Sequence, residues 1–168
     1  MKYLYTLFVA ITIGLSGLAQ DADALFKRGE SKYSTGNYEE AIIAYTEAIK
    51  QKPDFTNAYL RRAFCYSATK DYKKAIIDYT KIIELGYNLK WALNSRGSAY
   101  LKMKEYDLAM KDYNQVLSID PKDTDALNNR GWVYDGKGQH DKACADWKKS
   151  KKHGNSEAKL ILKNTNCK

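Results

Sequence analysis

The chain has 168 residues, 44% of them hydrophobic and 29% charged, which suits one soluble globular domain. Its formal charge of +8 favours anionic or acidic partners and carries no information about fold. Two well-separated prolines and no low-complexity stretch point to a continuous helical array and not to beads on a linker, and the lack of any Gly-rich phosphate loop, carboxylate pair or nucleophile motif argues against an enzyme.

Residues 1–19 stand apart. Lys2 is their only charge, Leu4 to Leu15 is largely apolar, and Gly17 and Ala19 are small residues at the spacing a signal peptidase reads. The pattern predicts a cleaved signal peptide over 1–19, with Gln20 as the new N-terminus and a domain over 20–168 carrying a formal charge of +7. The protein is then expected in a bacterial periplasm or secreted. The alternative is an uncleaved anchor, for which the run falls somewhat short of the roughly 20 residues that span a bilayer. No cysteine follows the small residues, which argues against a lipoprotein.

From Ala22 the chain repeats with a period of 34, in units 22–55, 56–89, 90–123 and 124–155. The third unit shows the pattern most plainly. Ala92, Leu93, Arg96, Gly97, Ala99 and Tyr100 recur at helical spacing, Lys104 marks a break, and Tyr106, Ala109, Met110, Tyr113, Val116 and Leu117 repeat the pattern. Pro121 follows, where a proline can stop a helix without breaking it. Each unit therefore reads as two short amphipathic helices that need neighbours to cover their apolar faces. Gly29, Ala63, Gly97 and Gly131 form one column, expected to face the column of Ala41, Ala75, Ala109 and Ala143 inside each helix pair. The fourteen tyrosines fall mostly on repeat positions and read as core. Gly36 makes a turn, and Gly86 can end its helix in a left-handed conformation. A capping helix is expected over 156–164, with Ser156 as N-cap, a polar outer face of Glu157, Lys159 and Lys163, and Leu160 and Ile161 covering the last unit.

The run Leu93, Arg96, Gly97, Tyr100, then Ala109 and Tyr113, then Pro121 resembles the tetratricopeptide signature, in unbroken register over residues 22–155. The resemblance implies an all-α, right-handed solenoid of four helix-turn-helix repeats with a C-terminal capping helix, of an exported bacterial type. It also implies a non-catalytic scaffold or adaptor that binds an extended peptide or protein segment in a concave groove. In that fold the first helix of each pair lines the groove, which here places Phe26, Lys27 and Tyr33, then Leu60, Arg61 and Phe64, then Trp91, Asn94, Ser95 and Leu101, then Asn128, Asn129 and Trp132. Exposed aromatics need a cover, Trp and Arg often anchor interfaces, and an Asn amide can both donate to and accept from a peptide backbone. Lys27 and Arg61 would favour acidic segments. The alternative is an exported accessory domain binding an anionic polymer, cell-wall polymer or nucleic acid, through its basic surface. Steep weakening in salt would mark that case. Some members of the family clamp a C-terminal carboxylate with Lys and Asn. The matching columns here hold Phe26, Glu30, Arg61, Trp91 and Ser95, so that role is not expected.

Arg28, Arg62, Arg96 and Arg130 share one column, and Asp78, Asp112 and Asp146 another sixteen residues later, which predicts structural ion pairs and leaves Arg28, opposite Ala44, free for a ligand. Lys148, Lys149, Lys151 and Lys152 read as a solvated helix end, not a nucleic-acid patch. His140 and Cys144 lie four apart on one helix face, but a metal needs more ligands, so no metal or cofactor is expected. Antiparallel running of the last two helices would bring Cys144 to Cys167 as a disulfide, with Cys65 left as a buried free thiol.

Overall fold

A computed structural model describes residues 21–167. The signal peptide expected over 1–19 lies outside the described residues. All regular structure among them is α-helix. Helix α1 covers 21–34, and α2 (Tyr38–Gln51), α3 (Thr56–Ala68), α4 (Tyr72–Glu84), α5 (Leu89–Lys102), α6 (Tyr106–Ile119), α7 (Thr124–Gly136), α8 (His140–Lys152) and α9 (Ser156–Asn164) follow. Each 34-residue unit thus yields one helix pair. None of these helices is long and apolar enough to cross a membrane. The chain forms two compact units, the first ending at Asp78 and the second beginning at Tyr79, so the boundary falls inside α4.

In the first unit, Ala41, Tyr45 and Cys65 form one buried cluster and Ala48, Ile49 and Ala58 another, with Phe26 packed against both. In the second, Leu93, Ala109, Tyr113, Val116, Ala126 and Val133 form the core between successive pairs, and Ala143, Trp147, Ala158 and Ile161 seat α9. The nearest neighbour of the glycine column is an aromatic ring that the spacing did not single out. A Cβ on Gly97 would come within 2.8 Å of Cε1 of Tyr113, and one on Gly131 within 2.6 Å of Cδ1 of Trp147. The small residue makes room first for the aromatic ring sixteen positions later. The ring is the bulkier group, so it decides how close the two helices can stand.

The turn inside each pair places residues 36, 70, 104 and 138 at positive φ. Gly fills that position in the first and last pairs, while Lys70 and Lys104 take φ of 62° and 61°. Gly86 and Gly154 close α4 and α8 in the same region. At α9 the cap is Asn155, not Ser156: its side chain accepts from the Ala158 amide at 2.9 Å. Ile161 is buried, but Leu160 is 59% exposed and takes no part in covering the preceding pair, because consecutive helical residues point about 100° apart.

Candidate functional site

The arginine column is structural. Arg62, Arg96 and Arg130 each form a two-pronged pair with Asp78, Asp112 and Asp146, at 2.7–3.0 Å. The third nitrogen of each fork reaches back to the preceding helix: Arg62 to Thr46, Arg96 to Thr80, Arg130 to Asn114. Burial pushes the Asp78 carboxyl up from its ordinary range, against the pull of the Arg62 guanidinium. Arg28, expected to be free, pairs instead with Glu47 on α2, three residues past the missing aspartate.

The groove residues of the first unit divide by contact. The Phe26 ring sits 5.6 Å from that of Tyr45 and 5.0 Å from that of Phe55, so it is packing and not an open anchor. Arg61 is held by Glu30 at 3.0 Å and lies over the Tyr33 ring. Glu30 also accepts from the Tyr45 hydroxyl at 2.5 Å. Lys27 is exposed, and Leu60 and Phe64 are half-buried.

In the second unit, Trp91 packs edge-on against Tyr79, and Trp132 edge-on against Trp147 with 37% of its surface open. Asn94 donates through Nδ2 to Asp123 at 3.2 Å, and Asn128 through Nδ2 to Glu157 at 3.1 Å, one repeat later. The Oδ1 of each is buried without a partner among the described residues. Asn128 departs from expectation: it is 2% exposed, so its amide faces the interior and not a bound chain. The Asn94 side chain is half-buried. Asn129, the next residue, does open outward. With Leu101 and Trp132 it lines a pocket of about 550 Å³ between α5 and α7. Ser98, Lys102, Lys104, Tyr106, Asp135, Gly136 and Glu157 complete its wall. Of the expected groove residues, the pocket therefore gathers Leu101, Asn129 and Trp132. Sequence reasoning missed Lys102, Lys104 and Tyr106, which sit at the end of α5, in the turn and at the start of α6. A Cβ on Gly136 would meet the Tyr106 ring at 2.7 Å, a close approach between neighbouring repeats that no sequence spacing shows.

Family models described as tetratricopeptide repeat match residues 56–85, 91–123 and 112–145, and one described as TPR repeat matches 29–70. The chain belongs to the tetratricopeptide repeat family. Its fold is the all-α tetratricopeptide solenoid with a C-terminal helix. No curated protein matches the sequence. Among solved structures, a crystal structure of MamA is similar at TM-score 0.72 and 26% identity, over 83% of this chain and 81% of that one. A tetratricopeptide repeat protein from Parabacteroides merdae is similar at TM-score 0.73 and 22% identity, over 84% of this chain and 57% of that one. The first tetratricopeptide domain of Spaghetti (RPAP3), solved bound to the HSP90 peptide SRMEEVD, gives TM-score 0.63 and 27% identity, over 71% of this chain and 95% of that one.

At the C-terminal end, the sulfurs of Cys144 and Cys167 lie at bonding distance with their Cα atoms 5.4 Å apart, the geometry of a disulfide. Cys65 is free and buried. Lys149, Lys151 and Lys152 occupy the last turn of α8. Lys148, Lys151 and Lys152 rim a second hollow with Leu162 and Cys167.

Proposed function

We propose that the protein is a non-catalytic interaction scaffold that takes an extended peptide or protein segment in the pocket between α5 and α7. The observation that carries this is the joining of Leu101, Asn129 and a 37% exposed Trp132 in one open concavity of about 550 Å³. An aromatic left open beside a hollow is a natural anchor, and the Asn129 amide can pair with a passing backbone. Lys102 and Lys104 share the wall with Asp135 and Glu157, so the site offers charges of both signs, with the lysines as the contacts for acidic side chains. The peptide held by the similar Spaghetti domain supports this class of ligand, although the clamp columns differ here.

The test is selection of peptides from a random displayed library, followed by fluorescence anisotropy on the selected sequences. Trp132→Ala with Asn129→Ala is expected to weaken binding at least tenfold, with a thermal midpoint within a few degrees of the parent. Lys102→Glu with Lys104→Glu should shift selection away from acidic sequences. Selected peptides that bind the Trp132/Asn129 double variant as tightly as the parent would place the site elsewhere.

A further inference from the structure

The Cys144–Cys167 pair has a third ligand-type neighbour. His140 lies one turn before Cys144 on α8, so both project from one face, and the chain beyond α9 brings Cys167 to the same place. A ring nitrogen of His140 and both sulfurs all fall within 4.8 Å of one another. The imidazole has a carboxylate neighbour as well: Nδ1 stands 3.0 Å from Oδ1 of Asp135 on α7. A carboxylate accepting the Nδ1 proton fixes the tautomer that leaves the Nε2 lone pair for a metal, the arrangement that orients many zinc-bound histidines.

We propose that reduction of the Cys144–Cys167 disulfide by a small-molecule or protein thiol opens a zinc site made of His140, Cys144 and Cys167, with Asp135 as its positioning residue. A reductant thiolate attacks one sulfur and forms a mixed disulfide, while the other cysteine leaves as a thiolate. A second reductant thiolate attacks the reductant sulfur of that mixed disulfide and the remaining cysteine leaves as a thiolate, so the two reductant molecules depart joined as a disulfide, two electrons pass to the protein and each cysteine sulfur can take up a proton. Zinc then displaces those protons and does not change its own oxidation state. Two sulfurs on tetrahedral zinc at about 2.3 Å bonds stand about 3.8 Å apart. The sulfurs must therefore separate from bonding distance by roughly two ångströms. Cys144 is fixed on its helix, but Cys167 follows α9 in non-helical backbone, beginning at an extended Thr165, and can supply that movement. Cys167 also borders the hollow rimmed by Lys148, Lys151 and Lys152, which gives a reductant access and places cations near the released thiolates. Two thiolates and one imidazole are a soft donor set that suits zinc, and water would take the fourth position.

The experiment uses the full chain, prepared oxidised and, after thiol reduction and anaerobic desalting, reduced. Zinc binding is read by competition with a chromophoric chelator, and Co²⁺ replaces zinc to report sulfur-to-metal charge transfer and tetrahedral coordination. The reduced protein is expected to bind one equivalent of zinc and the oxidised protein less than a tenth of that. His140→Gln, at an exposed position, and Cys167→Ser should each weaken binding at least a hundredfold with helicity retained. Asp135→Asn should weaken it about tenfold without loss of the Co²⁺–sulfur band. Equal zinc affinity in the reduced and oxidised proteins would overturn the proposal. So would a reduced His140→Gln variant that binds as tightly as the parent.

Discussion

At the scale of single residues, burial separates the arginine pairs. The Arg96 and Asp112 side chains are 17% and 2% exposed, whereas those of Arg28 and Glu47 are 51% and 43% exposed. Breaking the buried pair leaves a guanidinium with only the neutral Thr80 hydroxyl to offset its desolvation, while the open pair is screened by water. Asp112→Ala is therefore expected to cost about 3–5 kcal/mol. Glu47→Ala should cost under about 1 kcal/mol, both read by urea denaturation. Gly131→Ala belongs with the first: the new methyl would meet the Trp147 indole, whose Nε1 donates to the Asn128 carbonyl at 3.1 Å. Overpacking of this kind costs about 1–3 kcal/mol, which should appear as a lower denaturation midpoint with an unchanged slope. Cys65 makes a prediction about pH. Burial pushes its thiol up to about 11, so the folded chain resists an ionisation that the unfolded chain accepts at the ordinary thiol value. Stability from this group is whole below that ordinary value and is lost as pH rises from there towards 11. Cys65→Ala, at a position where another unit already carries Ala99, should flatten the alkaline limb of the stability profile; an identical limb in both proteins would exclude this origin.

At the scale of elements, the helices were legible because the same pattern returns every 34 residues, so weak local signals reinforce one another. At the C-terminal helix the expectations failed where nothing repeats. Asn155, which caps α9, was passed over for Ser156 because α9 has no earlier copy to align with. Leu160 and Ile161 could not be told apart by composition, and only the angular position of each on α9 decides which is covered. The aromatic ring nearest each glycine was not singled out, because spacing in one dimension does not say which residue of the facing helix comes closest. The link between α8 and α9 can be measured. Thiol titration under denaturing, non-reducing conditions should find one free cysteine, and three would exclude the bond. Replacing both Cys144 and Cys167 by Ser should lower stability by about 3 kcal/mol, the chain-entropy value for closing a loop of this order.

At the scale of the whole molecule, family and fold were legible, whereas the candidate site was only partly so. The repeat columns name which residues of each first helix face one side, and they found Leu101, Asn129 and Trp132. They could not show that Phe26 is occupied by Tyr45 and Phe55, that Asn128 turns inward to Glu157, or that Lys102 and Lys104 rim the pocket. Those outcomes depend on how neighbouring pairs meet, which differs from repeat to repeat although the columns do not.

The arginine forks also bear on how such a chain can lengthen or shorten over generations. Each buried carboxylate lies in the same 34-residue unit as its guanidinium, and only the neutral bond to Thr46, Thr80 or Asn114 crosses into the unit before. A gene duplication or deletion that begins and ends at unit boundaries keeps every buried charge matched and exchanges one neutral hydrogen bond for another. An event whose length is not a multiple of 34, with its junction between an arginine and the aspartate sixteen residues on, strands one of the two in the interior. Heritable changes of length should therefore arrive in multiples of 34 residues, wherever in the repeat they begin.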